Sequence, residues 1–131
     1  LAQLKGVYAR ACRRCASERW LVHAGPLAGQ PVRVHAMSLY DLVHHHVLPE
    51  TAATGLSMVE TVAEGPQPPL WFVSHWWGEP VADFIACLEQ HCRLRGLSER
   101  AAFYWVCAYA LRQHRLAQEL GAAGLDATDS P

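Results

Sequence analysis

The sequence predicts an α/β protein, specifically a fragment of a three-layer sandwich with a short parallel sheet and a mainly helical N-terminal extension. Residues 70–74 are apolar and unbroken, as in a strand that is covered on both faces. Residues 81–92 carry apolar side chains at helical spacing, and residues 102–108 form a second run rich in aromatic residues. Because a helix-length connection separates the two runs, the strands should lie parallel in one sheet.

The mainly helical extension covers residues 1–65 and ends at a stiff, proline-rich segment. Its first helix is predicted over residues 3–18. A second helix starts at the N-cap Ser38 and ends at Pro49, and a third starts at Ser57 with Glu60 completing a capping box. Short strands are expected at residues 20–23 and 32–34.

Residues 70–121 form the predicted strand–helix–strand–helix core. Pro80 is expected as the first helical residue after the loop, and Gly96 as the residue that ends this helix. A last helix is predicted over residues 113–120, and the crossover between the strands should be right-handed. Since two strands do not make a stable open sheet, we expect further strands from the N-terminal half or from a longer protein of which this core is a C-terminally truncated part.

The composition limits the partners that can be expected. The net charge is −1, with no basic excess and no block of like charges, which argues against nucleic acid and against a membrane surface. The longest uncharged apolar run, residues 101–111, is far shorter than the roughly 20 residues that span a bilayer. Five cysteines, an odd number, are typical of reduced thiols in an intracellular, cytoplasmic protein. The expected partner is a small molecule or another protein.

A ligand site is predicted where the two strands end, because ligands of parallel α/β sheets bind beyond the carboxyl ends of the strands. His75 would supply a hydrogen-bonding or acid–base group, and two indoles would stack on a planar ligand. The competing interpretation is structural, with the tryptophans capping the sheet and the histidine holding its loop. The candidate ligand-binding residues are Ser74, His75, Trp76, Trp77, Glu79, Cys107, Tyr109, Gln113 and His114.

No metal or cofactor is predicted. Cys12 and Cys15 have the spacing of half a zinc site but lack a second pair at a compatible distance. The run from His44 to His46 cannot converge on one ion if it is helical, because successive residues diverge by about 100°; solvated histidines beside one core-facing imidazole are expected instead. The sequence contains neither a glycine-rich phosphate loop nor the serine elbow of hydrolases.

Two distinctive stretches carry a resemblance. Residues 71–80, with Ser-His-Trp-Trp-Gly-Glu at their centre, and residues 104–110, Tyr-Trp-Val-Cys-Ala-Tyr-Ala, resemble a family of uncharacterised algal proteins of dinoflagellate type. The resemblance spans about residues 38–120. In that family two asparagines follow the second motif, whereas Leu111 and Arg112 stand here.

At a coarser level, the strand that ends in Phe-Val-Ser-His and the amphipathic helix after it are similar to the start of TIR-like domains. These are flavodoxin-like sheets used for protein assembly or for NAD cleavage. The resemblance implies the fold, while no residue here matches the TIR catalytic glutamate.

Two functions follow as hypotheses: small-ligand or nucleotide-type binding at the strand ends, or a non-enzymatic protein-interaction domain. A concave pocket into which His75 and Tyr109 both open favours the first. Burial of those two side chains, with an apolar patch elsewhere, favours the second.

Overall fold

The two predicted strands lie side by side and run parallel. The computed structural model describes residues 1–116 and places β1 (Trp71–Phe72) against β2 (Tyr104–Trp105), with Trp71 opposite Tyr104 and Phe72 opposite Trp105. The parallel pairing is therefore confirmed, and the chain is an α/β protein with a short two-stranded sheet. Within residues 1–116, no further strand joins this sheet.

The second strand is shorter than predicted, because the end of the run 102–108 is helical. Helix α6 spans Cys107–Ala110, and the carbonyl of Val106 accepts hydrogen bonds from Tyr109 N at 3.0 Å and Ala110 N at 2.8 Å. The chain thus turns away from the sheet directly after β2.

The prediction that the first strand is covered on both faces is also wrong. The ring of Trp71 packs on one side against His91, with 5.3 Å between ring centroids. On the other side, Phe72 is 72% exposed. It stacks against Trp105 at 4.8 Å, with an angle of 17° between the ring planes. One face of the sheet is therefore open over the part of the chain that the structure describes.

Helix α5 (Val81–Arg95) connects the two strands and buries the predicted apolar stripe. Its C-terminal end is also as predicted, because Gly96 adopts the left-handed conformation with φ of 62°. Pro80 lies one position earlier than predicted, since it is the N-cap, and its carbonyl accepts hydrogen bonds from Asp83 N and Phe84 N. The buried stripe consists of Val81, Phe84, Ile85, Leu88 and Cys92.

The N-terminal half contains the predicted helices with one difference in length. Helix α1 (Ala2–Glu18) buries Leu4, Val7, Ala11 and Cys15, and α4 (Met58–Val62) begins with the predicted Ser57–Glu60 capping box. Between them, α2 (Leu39–Leu42) continues through a π turn (Val43–Val47) into α3 (Leu48–Thr51). The prediction that Pro49 ends this helical segment is therefore wrong. Pro49 lies inside this continuous helical segment, directly after the π turn.

Three other predicted segments differ from the structure. Residues 20–23 and 32–34 do not form strands; one antiparallel bridge joins Leu21 to Pro31, just before the second segment, and Val32 N donates to Trp20 O at 2.8 Å. A 3₁₀ turn (Val34–Ala36) replaces the end of the second segment. The predicted last helix starts as a 3₁₀ turn (Gln113–Arg115), and residues 117–120 of that prediction lie outside the described residues.

Backbone hydrogen bonds tie the N-terminal half to the strand–helix core. Ser38 forms an antiparallel bridge with Pro80, Val81 N donates to Met37 O at 2.8 Å, and Leu39 N donates to Trp77 O at 3.1 Å. One buried core contains residues of α1, α2, α4, α5 and α6. No helix among residues 1–116 is both long enough and apolar enough to cross a membrane.

A buried carboxylate fixes the segment in front of α2. Asp41 is 2% exposed, and its two oxygens accept hydrogen bonds from three donors: His23 N at 2.8 Å, Ser38 N at 3.1 Å and Ser38 Oγ at 2.7 Å. The contacts with Ser38 complete a capping box. The contact with His23 is different in kind, because it holds a loop that is 18 residues away in sequence.

We predict that Asp41→Ala lowers the free energy of unfolding by about 3 kcal/mol, because it leaves the backbone N–H groups of His23 and Ser38 without their buried, charged acceptor. The matched control is Glu60→Ala, which removes the corresponding acid of the second capping box at a more exposed position. That change should cost only about 1 kcal/mol. Urea unfolding of both variants measures the difference, and equal losses would show that Asp41 acts only as a helix cap.

Candidate functional site

The ends of β1 and β2 emerge together, as a parallel pair requires. Leu70 N donates to Phe103 O at 3.0 Å, and Val73 N donates to Trp105 O at 3.0 Å. Beyond the strands, the indole Nε1 of Trp77 donates to the Sγ of Cys107 at 3.1 Å. The loop after β1 and the helix after β2 are thus joined by one side-chain contact.

Gln113 closes the second of these segments. Its Nε2 donates to the carbonyl oxygens of Cys107 at 3.0 Å, Ala108 at 3.3 Å and Leu111 at 3.4 Å. The side chain is buried, and its Oε1 has no hydrogen-bond partner among residues 1–116. Three carbonyl acceptors around Nε2 fix the orientation of the amide, so the unpartnered atom is an acceptor.

Trp77 and Gln113 line a small cleft of about 170 Å³ together with side chains from the N-terminal half. Tyr40, His44 and His23 supply its other rings, and Tyr40 packs against Trp77 with 5.4 Å between centroids and a 57° tilt. We call this site the strand-end cleft. It brings two of the predicted site residues together and adds three ring residues that were not predicted, with Val43, Leu48 and Leu116 as further apolar lining.

The rings beside this cleft form a continuous array. His23 stacks on His44 at 3.7 Å with an interplanar angle of 12°, His44 meets His45 edge-on at 4.7 Å, and His45 stacks on Trp20 at 5.0 Å. The backbone of His23 is held by Asp41, and the Nε2 of His45 donates to Leu21 O at 2.7 Å. Burial, followed by the neighbouring imidazoles of His23 and His45, lowers the pKa of His44.

His46 is the histidine of this run that points into the core, which confirms the prediction of one core-facing imidazole. Arg14 Nη1 donates to its Nδ1 at 3.1 Å, so the ring proton must be on Nε2, which is buried and has no partner in the described part of the chain. Burial lowers the pKa of His46, which favours the neutral ring.

The other residues predicted after the first strand lie apart from the cleft. The ring of His75 packs against Phe84 at 4.6 Å, and its Nδ1 is 3.4 Å from Val73 O. Trp76 is exposed and covers Gly78 so closely that a Cβ at that position would collide with the indole. Ser74 is exposed, and the backbone N–H of Glu79 donates to the carbonyl of Trp76 at 3.2 Å.

Tyr109 and His114 are also separated from the cleft. Tyr109 is buried beside an apolar cavity of about 220 Å³ between β2, α1 and α4, and none of the described residues forms a hydrogen bond with its hydroxyl. Burial raises the pKa of this phenol. His114 donates from Nε2 to Leu48 O at 3.0 Å, within reach of Thr51 Oγ1 at 3.1 Å, and so binds the last described turn to α3.

The sequence contained a signal for two of the cleft residues that were not predicted. Tyr40 and His44 are four residues apart in a helical segment, and such pairs share one face. His23 carried no such signal, because its position depends on the loop that Asp41 holds.

No family model, curated protein or solved structure matches the chain. Among residues 1–116, no three His, Cys, Asp or Glu side chains are grouped so that they could hold a metal ion. All five cysteines are free thiols.

We predict that the protein loses stability as the pH falls below about 6.5, the ordinary pKa of histidine. The lowered pKa of the buried His46 means that the unfolded chain binds more protons in this range, so acid favours unfolding. This group contributes at most about 1.4 kcal/mol per pH unit. Thermal unfolding at about pH 7.5 and at about pH 5.5 measures this loss of stability.

The variant His46→Gln should lose stability less steeply with acid than the wild type. The control His35→Gln, at an exposed position, should keep the wild-type slope. If His46→Gln and the wild type respond equally to acid, the buried imidazole is not the source of the dependence.

Proposed function

We propose that the chain is a non-enzymatic protein-interaction domain that associates with a second copy of itself through the open face of its sheet. The observation that carries this proposal is the stacked pair of Phe72 and Trp105 on a parallel sheet with one uncovered face. Leu70, 67% exposed, extends the same apolar surface. We call these three residues the open sheet face.

Parallel sheets are normally covered on both faces, and two strands alone are marginally stable. Helix α5 covers one face through His91. The ring of His91 packs against Trp71, and its Nδ1 shares a hydrogen bond with the Tyr104 hydroxyl at 2.8 Å. The opposite face exposes large apolar side chains to water at a cost of about 25 cal/mol per Å². Its burial against another surface is therefore favourable.

The burial of His75 and Tyr109 supports an interaction domain over a catalytic pocket built on these two residues. His75 is half-buried against Phe84, and Tyr109 is fully buried. The apolar patch lies elsewhere, on the open sheet face. Burial of these two side chains, together with an apolar patch elsewhere, favours a protein-binding surface.

A second copy is the partner that best fits this surface. An uncharged apolar patch is complementary to itself in a two-fold contact, whereas a patch of one charge sign would repel its copy. The net charge of −1 adds little repulsion between copies.

The three-layer sandwich and the location of the protein belong to the same proposal. In a three-layer sandwich a second layer would cover the open sheet face, and we propose that the partner copy supplies it. We also propose a cytoplasmic location, because five free thiols suit a reducing compartment.

We predict that the wild-type protein forms dimers and that Phe72→Glu raises the dissociation constant at least tenfold, since burial of one phenylalanine is worth about 1.5–3 kcal/mol. Because Phe72 is exposed in the single chain, the variant should keep the wild-type circular dichroism spectrum. Sedimentation velocity over a range of concentrations measures the dissociation constant.

The control is Leu94→Glu. Leu94 is 76% exposed, as apolar as Phe72 and placed on α5 away from the open sheet face. This variant should dimerise like the wild type. A wild type that stays monomeric at all concentrations, or two variants with equal effects, would contradict the proposal.

A further inference from the structure

A groove lies beside the exposed indole of Trp76, and the same chain carries an exposed proline-rich segment with matching chemistry. From these two features we propose that residues 65–69 of one copy dock into this groove on a second copy. The proposal rests on the self-association proposed above and adds a second contact to it. We call the two parts the Trp76 groove and the proline segment.

The Trp76 groove has the size of a binding pocket. Its volume is about 480 Å³, within the range of roughly 300–1,000 Å³ that is usual for such sites. The loop over residues 22–36 supplies most of its lining, and the rest comes from Ser38, Tyr40, Asp41, Trp76 and Gly78.

Trp76 is held in place although it is 71% exposed. Its indole lies so close to Gly78 that a Cβ at that position would collide with the ring. An indole seated on a glycine offers a large, rigid contact area, and a partner loses little conformational entropy by using it. Tryptophan is also among the residues that contribute most to the affinity of protein interfaces.

The proline segment has the sequence Gly-Pro-Gln-Pro-Pro, and all three prolines are exposed. Proline fixes φ near −65° and keeps the residue before it out of the helical region, so the segment favours an extended polyproline conformation. Such segments bind in grooves lined by aromatic side chains, because their conformation is already restricted before binding.

The hydrogen-bonding groups of the two parts are complementary. Three of the five residues of the proline segment lack an N–H, so the segment offers mainly carbonyl acceptors. The groove offers donors in the Trp76 indole, the Tyr40 hydroxyl and the Arg33 guanidinium. Its carboxylate, that of Asp41, already accepts three hydrogen bonds.

The charges match as well. Arg33 and His35 are exposed residues of the groove, and Glu64 is exposed directly before the proline segment. Opposite charges at the rim of an interface favour the correct orientation of the partners. A copy of this chain therefore carries both the stiff segment and the acid that suit the groove.

The order of these features along the chain suits a two-fold contact. Every second residue from Leu70 to Trp76 is exposed and those between are half-buried, so Trp76 continues the side on which Leu70 and Phe72 lie. With the two-fold axis perpendicular to β1, the two copies of β1 run in opposite directions. The proline segment, which precedes β1, then approaches the partner's groove, which follows β1.

Two variants each remove one side of this contact. Trp76→Ala removes the indole, and the double change Pro66→Ala with Pro68→Ala removes two stiff, exposed rings. Both proteins should keep the wild-type circular dichroism spectrum. Each should raise the dissociation constant of the dimer about tenfold or more, because both contacts of the dimer lose a partner. Sedimentation velocity measures the constants, and Leu94→Glu is again the control.

A mixture of the two variants shows whether the groove and the segment contact each other. In a heterodimer, the groove of the proline variant meets the intact segment of the Trp76→Ala chain, and both lost groups fall in the other contact. With one variant carrying a fluorescent label, we expect a heterodimer dissociation constant about threefold below those of both homodimers. Separate structural effects at the two positions would give no such recovery.

Gly78→Ala tests the seat of the indole. The residue has no positive φ, so the backbone accepts alanine, but the added Cβ must displace the ring of Trp76. This variant keeps every interacting group and should still weaken the dimer about as much as Trp76→Ala.

An unchanged dissociation constant in Trp76→Ala, or no recovery in the mixture, would overturn this proposal alone. A wild type that stays monomeric would contradict the self-association itself. A peptide of residues 64–70 is also titrated into the variant Phe72→Glu. Saturable binding of this peptide without recovery in the mixture would assign the groove to a proline-rich segment of a different protein, and would likewise overturn the proposal.

Discussion

The carboxylate of Asp41 is the constraint on which the arrangement of the N-terminal half depends. It is buried, and it accepts hydrogen bonds both from its own helix start and from the backbone of a distant loop. A charged acceptor out of water must be satisfied by several donors, so the two segments can adopt only this relative position. The bridge between Ser38 and Pro80 then fixes these segments relative to the strand–helix core.

The parts of the fold that could be predicted are those determined by local sequence or by connection length. The apolar spacing of α1 and α5, the N-cap Ser38, the capping box at Ser57, and Gly96 at a helix end all act within a few residues. The parallel pairing of β1 and β2 followed from the helix between them. These features need no knowledge of the rest of the chain.

The parts that could not be predicted are determined by contacts between distant residues. The segment Cys107–Ala110 has the composition of a strand, yet the amide of Gln113 binds the carbonyls of Cys107 and Ala108 and so favours a helical turn. Similarly, the expectation that ligands bind beyond the strand ends identified Trp77 and Gln113 but not Tyr40 or His44. The last two reach the cleft because Leu39 N binds the carbonyl of Trp77, a contact across the two halves of the chain.

The π turn Val43–Val47 has a consequence for the tolerated length of this segment. A π turn is equivalent to an α-helix that contains one inserted residue, so deletion of one residue would let the backbone close as a regular helix. The relation between α2 and α3 should change little, because the wide turn already absorbs the extra residue. The contacts of Asp41 before this turn and of His114 after it should therefore survive the deletion. The segment can thus lose one residue more readily than a regular helix of the same length.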